Sequence, residues 1–141
     1  MTTDSAKTKF DEWRRYAEED MAMAEIAMRE DGPPNQICFH AQQIGEKYIK
    51  GFLVFANRSF EKSHLLSYLL ELCIAIDPTF EELKDDVIFL TQFYIETRYP
   101  GDIPEFTLPE CRKGYESAVR IKEFVLQRIR RVDKEKSGKA I

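Results

Sequence analysis

The fold of this chain is decided by the stretch Ile37-Cys-Phe-His-Ala-Gln-Gln-Ile-Gly-Glu-Lys-Tyr-Ile-Lys-Gly-Phe-Leu53. Its apolar residues recur at steps of three and four, which indicates a buried α-helix. Polar residues at helical spacing line one edge of this helix, and they are His40, Gln43, Lys47 and Lys50. Because these side chains can donate hydrogen bonds, the edge is a candidate site for an anion.

Two interpretations of this polar edge stay open. In the first, it is a solvated helix face with an ordinary ion pair between Glu46 and Lys50, which stand four residues apart. In the second, another element closes over the edge and completes a binding site. That second interpretation requires a further cation from a distant part of the chain.

The stretch Thr97-Arg-Tyr-Pro-Gly101 supplies such a cation where we expect a fourth helix to end. The guanidinium of Arg98 presents a fork of donors that matches phosphate oxygens. Tyr99 is available to stack on a base, and Pro100 restricts the loop backbone. Alternatively, Arg98 only offsets the dipole at the carboxyl end of a helix.

Four further amphipathic helices are predicted by apolar residues at the same steps. No segment alternates as a strand does, so we expect an all-α, five-helix up-and-down bundle. It forms one domain over residues 1–141, with a core from about 8 to 132 and a frayed charged tail over 133–141. The inward positions of these four helices are Phe10, Trp13, Ala17, Met21, Ala24 and Met28; Leu65, Leu66, Leu69, Leu72, Cys73 and Ile76; Phe80, Leu83, Val87, Leu90 and Tyr94; and Cys111, Tyr115, Ala118, Ile121, Val125 and Ile129.

Capping residues predict where the helices begin. Asn35 is the expected N-cap of the second helix and Ser63 that of the third. The spacing of Thr79-Phe-Glu-Glu82 and of Thr107-Leu-Pro-Glu110 is that of a capping box, which predicts the starts of the fourth and fifth helices.

Composition limits the class of protein. Hydrophobic residues make up 43% and charged residues 33% of 141 residues, which is typical of a globular domain, and the net charge of −4 does not favour nucleic acid over the whole surface. No apolar run approaches a membrane span, and the N-terminus lacks an apolar signal core, so we expect a cytoplasmic protein. The three scattered cysteines, Cys38, Cys73 and Cys111, predict reduced thiols and no metal site.

Arg58 and His64 form a second candidate pair, separated by five residues. A histidine that accepts a 2′-hydroxyl proton beside an arginine that stabilises the phosphorane would cleave RNA without a metal. The alternative is that His64 makes a local hydrogen bond in the first turn of the third helix.

The chain resembles the HEPN family of five-helix domains from about Phe10 to Ile129. The resemblance rests on Trp13-x-x-x-Ala17-x-x-Asp20-Met21-x-x-Ala24, on Cys38-Phe-His-Ala-Gln-Gln-Ile-Gly-Glu-Lys47, on Lys62-Ser-His64-Leu65, and on Tyr94-x-x-x-Arg98-Tyr-Pro100, in that order.

The resemblance implies a homodimer, often with a minimal nucleotidyltransferase as partner in a toxin–antitoxin-like system, and a role in nucleotide binding or in metal-independent RNA cleavage. An excess of aromatic residues, Phe 10 and Tyr 6, agrees with an interface. Arg98 matches the family's ribonuclease arginine, but no histidine follows His64. We therefore expect a nucleotide- or phosphate-binding module without a cofactor, which uses Arg98, Tyr94, Tyr99, Lys47, His40, Gln43 and His64. The alternative is a ribonuclease toxin with an atypical histidine, His64 or His40.

Overall fold

A computed structural model of the chain describes the backbone of residues 3–95 and 99–139, and the side chains of residues 5–95 and 99–135. The described residues form α-helices and one 3-10 helix, without a strand among them. The helices are α1 (Thr3–Arg29), α2 (Pro34–Phe55), α3 (Leu66–Ile76), α4 (Lys84–Thr91) and α5 (Leu108–Lys139), and the 3-10 helix Pro78–Leu83 directly precedes α4. The predicted all-α, five-helix fold is confirmed.

α2 is the central helix of the bundle. It packs mainly against α1 and α5, and it also contacts α3 and α4. Its buried residues lie on all sides, and Ile37, Ile44, Tyr48, Ile49 and Leu53 are completely inaccessible to solvent. All-round burial is typical of a core helix, so the polar side chains of α2 must find partners on neighbouring helices.

The predicted capping box at the start of α5 is present. The backbone N–H of Glu110 donates to Thr107 Oγ1 at 3.2 Å, and the backbone N–H of Thr107 donates to Glu110 Oε1 at 3.1 Å. α5 then continues to Lys139, into the charged stretch 133–141 for which the sequence predicts fraying.

Other predicted caps are wrong. α2 begins at Pro34, and Asn35 binds a distant loop instead of capping the helix. α3 begins at Leu66, so Ser63 lies ahead of its N-cap position. The side chain of Asp77, rather than a Thr79–Glu82 box, accepts the N–H of Thr79 at 3.0 Å. A 3-10 helix follows there, because Pro78 and the Asp77 cap set a tighter turn.

Two further differences concern α3 and α4. Leu65 and Ile76, predicted to face inward, are 54% and 42% exposed because they lie at the two ends of the short α3. α4 ends at Thr91, so the stretch around Tyr99 and Gly101 is not its last turn. Across the described residues, the structure contains no helix with the length and apolar character needed to cross a lipid bilayer.

The expectation of three reduced thiols is also wrong. Cys38 of α2 and Cys111 of α5 form a disulfide with Cα atoms 4.6 Å apart, although 73 positions separate them in sequence. Cys73 is free and buried, and burial, assisted by the charge of Asp77, raises the pKa of its thiol to about 12. Sequence spacing failed here because it does not show which helices face each other.

Candidate functional site

The first part of the polar edge of α2 binds an acidic residue of α1. Nδ1 of His40 lies 2.8 Å from Asp20 Oδ1, and Lys47 Nζ donates to Asp20 Oδ2. Burial raises the pKa of Asp20, but the hydrogen bonds and charges of His40 and Lys47 outweigh burial and lower it overall. Asp20 was missed as a site residue, although an acid between Ala17 and Ala24 on a buried stripe signals an internal partner.

The second part of the edge converges on Glu46, whose side chain is only 4% exposed. Its carboxylate accepts hydrogen bonds from Gln42 Nε2 at 3.1 Å and from Lys50 Nζ at 3.0 Å. Gln43 Nε2 donates to Gln42 Oε1 at 2.8 Å, which extends this network toward the surface. Lys50 also lies over the ring of Trp13, with Nζ 5.9 Å from the ring centroid.

The charged side chains of this edge are paired inside the protein. The edge is not a solvated face, because α1 covers it and the Glu46–Lys50 pair is buried. It is not an open row of cations either, because Asp20 compensates Lys47 and Glu46 compensates Lys50. These two lysines therefore contribute little unbalanced positive charge to an incoming phosphate.

His64 joins the Glu46 network from the chain segment just before α3. Its Nδ1 lies 3.1 Å from Glu46 Oε2, and its ring stacks on Tyr94 with centroids 5.3 Å apart and an interplanar angle of 21°. A carboxylate accepts the Nδ1 proton, so Nε2 of the neutral ring is an acceptor. Because the His64 side chain is 56% exposed, solvent and ligands can approach it.

Tyr94 also lines a pocket of about 160 Å³ between the start of α2 and the α4–α5 connection. A cavity of about 150 Å³ in another protein holds one benzene ring, so this pocket has room for one flat ring. Its walls are mostly aromatic and aliphatic, with amide groups at one end. They are formed by Asn35, Gln36, Cys38, Phe39, Phe93, Tyr94, Ile95, Ile103 and Phe106.

Asn35 holds the two walls of the pocket together. Its Nδ2 donates to the carbonyl of Pro104 at 2.8 Å, and its Oδ1 accepts the backbone N–H of Phe106 at 2.9 Å. Phe93 packs edge-to-face on Phe106, with centroids 4.9 Å apart. The asparagine predicted to cap α2 thus positions the wall that faces it.

The fold and this arrangement can be compared with known proteins. The model of the HEPN domain family matches residues 10–131. The chain belongs to the HEPN family. The crystal structure of an archaeal HEPN homologue matches with a TM-score of 0.69 and 26% identity, over 86% of this chain and 98% of that one. A comparison with curated protein sequences found no match.

The remaining predicted site residues of this HEPN domain either lie apart from the pocket or fall outside the residues that the structure describes. Arg98 lies outside the described residues. Tyr99 is 71% exposed and does not line the pocket. Arg58 is exposed and donates to the carbonyl of Ser59 at 2.7 Å. The structure therefore brings His64 to Tyr94, and His40 to Lys47 through Asp20, as two separate groups.

The chemistry available to this HEPN domain follows from these groups. The pocket offers ring stacking, and the histidine beside it offers an acceptor oriented by a carboxylate. Within residues 5–95 and 99–135, no group of three or more His, Cys, Asp or Glu side chains is arranged to hold a metal ion.

Proposed function

We propose that this HEPN domain is a nucleotide-binding module whose pocket between α2 and the α4–α5 connection receives the base. The observation that carries the proposal is the ring-sized aromatic pocket whose wall, Tyr94, stacks on His64. The amides of Asn35 and Gln36 stand at the pocket, where they can read the edge of a base. Arg98, matched through the family resemblance, is the proposed phosphate contact.

Titration calorimetry with ATP, AMP, adenosine and ribose 5-phosphate separates the contributions of base and phosphate. We expect adenosine to bind and ribose 5-phosphate to bind much more weakly, because the two lysines of the α2 edge are already compensated. Replacing Tyr94 by Leu should weaken every ligand that carries a base. The matched control is Tyr68→Leu, since Tyr68 lies on α3 and does not line the pocket. No binding by the wild type, or equal binding by Tyr94→Leu, would refute the proposal.

Arg98→Ala tests the phosphate contact separately. It should weaken ATP by about 1.5–3 kcal/mol, as expected for a charged hydrogen bond, and leave adenosine unchanged. If ATP and adenosine lose the same affinity, Arg98 does not act on the phosphates.

The proposed assembly is a homodimer with a minimal nucleotidyltransferase partner in a toxin–antitoxin-like system. Exposed apolar side chains at Tyr16, Met23 and Ile26 of α1 support an interface. Sedimentation at micromolar concentration tests the dimer, and a clean monomer would refute it. Co-expression with the product of a neighbouring nucleotidyltransferase gene tests the partner, which should co-purify.

The Glu46–His64 contact favours one second candidate, a metal-independent ribonuclease in which His64 accepts the 2′-hydroxyl proton. Purified protein should then cleave RNA in the presence of EDTA, and His64→Ala should abolish cleavage. His40→Ala is the matched control, because Asp20 holds His40 in the partly buried α1–α2 contact. Cleavage that survives His64→Ala, or none at all, would exclude this candidate.

A further inference from the structure

We propose that the Cys38–Cys111 disulfide is a thiol-sensitive latch on the pocket wall formed by the α4–α5 connection. The latch rests on the proposed function only for the identity of the ligand that it controls. Its basis is the position of the bond. Cys38 lines the α2 wall of the pocket, and Cys111 lies in α5, the helix that follows the opposite wall.

The bond is placed to fix this wall. Cys38 belongs to the α2 wall, whereas Cys111 lies in the first turn of α5, five positions after the wall residue Phe106. Between Tyr99 and Thr107, most residues are exposed, so few buried contacts hold the connection down. Together with the Asn35 hydrogen bonds and the packing of Phe93 on Phe106, this covalent link restrains the wall.

The position of the bond also allows a reaction with a small thiol from the pocket. Both cysteines are buried, with exposures of 1% for Cys38 and 0% for Cys111, but only Cys38 is among the residues that line the pocket. A small thiol that enters the pocket therefore approaches the bond from the Cys38 side. Its thiolate attacks Cys38 Sγ, the sulfur–sulfur bond breaks, and the electron pair leaves on Cys111 Sγ.

A second thiol completes the reaction. It attacks the mixed disulfide at the sulfur of the first thiol, which releases Cys38 as a thiolate and yields an oxidised small-molecule disulfide. Two thiols are oxidised, two cysteines are reduced, and solvent protonates the protein thiolates. Cys73 takes no part, since its thiol is free and buried and it does not line the pocket.

The first experiment measures the local stability of the pocket wall in the absence of a ligand. Amide hydrogen exchange of the full chain is measured before and after treatment with dithiothreitol. At short labelling times, before exchange through global unfolding contributes, we expect exchange in peptides that span Phe93 to Thr107 to accelerate by about tenfold, equivalent to ~1.4 kcal/mol. The slowly exchanging amides of α1 and α3 should stay protected at these times. Unchanged exchange after confirmed reduction would overturn the latch, as would an equal increase in every helix.

The second experiment determines which cysteine the small thiol attacks. 2-Mercaptoethanol, a thiol small enough for the pocket, should form a mixed disulfide at Cys38 and not at Cys111 in the folded oxidised protein, as mapped by peptide mass spectrometry. Cys73→Ala serves as the control variant and should give the same map. A mixed disulfide at Cys111, or a bond that reacts only in denaturant, would overturn the proposal.

ATP titration of both redox forms separates this inference from the proposed function. We expect reduction to raise the Kd by about tenfold. Equal affinity in both forms would overturn the latch and leave nucleotide binding intact. If neither form binds ATP but the wall loosens on reduction, nucleotide binding fails and the latch stands.

Discussion

Nδ1 of His64 lies within 3.2 Å of both carboxylate oxygens of Glu46, a residue buried in the middle of the central helix. The same carboxylate pairs with Lys50 one turn further along α2. An exposed ring beside the pocket is therefore oriented from the core of the bundle. Changes at Glu46 should consequently alter both stability and the geometry of the candidate site.

Glu46→Gln should lower the free energy of unfolding by about 3 kcal/mol, because the ammonium group of Lys50 then stays buried without its carboxylate. Urea denaturation measures the change. Glu81→Gln is the control: its pair with Lys84 is exposed, and its loss should cost less than about 0.5 kcal/mol. Equal effects of the two substitutions would show that the Glu46 network contributes no special stability.

The lowered pKa of Asp20 predicts that the protein loses stability at acidic pH. Its pKa in the folded protein is lowered by His40 and Lys47, so its contribution is present above the ordinary carboxyl pKa of about 3.9. That contribution is lost as the pH falls through the lower folded value. In urea titrations below about pH 4, Asp20→Asn should therefore lose stability less steeply than the wild type. Identical slopes would contradict this assignment.

Reduction of Cys38–Cys111 should also destabilise the fold as a whole. The bond closes a loop across 73 positions, and such a crosslink contributes about 2–4 kcal/mol, mainly by restricting the unfolded chain. Urea midpoints with and without a phosphine reductant measure this difference. The Cys73→Ala variant should show the same difference in urea midpoint between its two redox forms. A smaller difference would show that Cys73 contributes to the effect of the reductant.

Gly114→Ala should destabilise the protein despite a gain in helix propensity of about 1 kcal/mol. A Cβ atom at Gly114 would lie 2.6 Å from Cε2 of Phe93, whose ring packs between Phe89 and Phe106 and has little room to move. We expect a net loss of about 1–3 kcal/mol in thermal or urea denaturation. Gln127→Ala, on the exposed face of α5, should be neutral or slightly stabilising.

Asn35→Ala should cost about 1–3 kcal/mol, because the carbonyl of Pro104 and the N–H of Phe106 lose their partner. Gln36→Ala tests the neighbouring exposed position and should change stability by no more than about 0.5 kcal/mol. If both variants unfold at the wild-type midpoint, the two hydrogen bonds of Asn35 do not stabilise the α4–α5 connection.

The sequence alone determined the helical class, the buried stripes and some helix ends. Phe10, Ala17 and Ala24 share a face because helical spacing is a local property, and the Thr107–Glu110 capping box spans one turn. The same local reasoning placed His64 near the start of α3. It also identified the polar residues of α2, although not the groups that bind them.

Only the tertiary structure decided which distant groups meet. The pairing of Asp20 with Lys47, of Glu46 with His64 and of Cys38 with Cys111 depends on which faces of α1, α2 and α5 pack together. Many side chains satisfy the local pattern equally well. The choice among them is made by burial, since a charge or hydrogen-bonding group taken out of water must find its partner across the interface between helices.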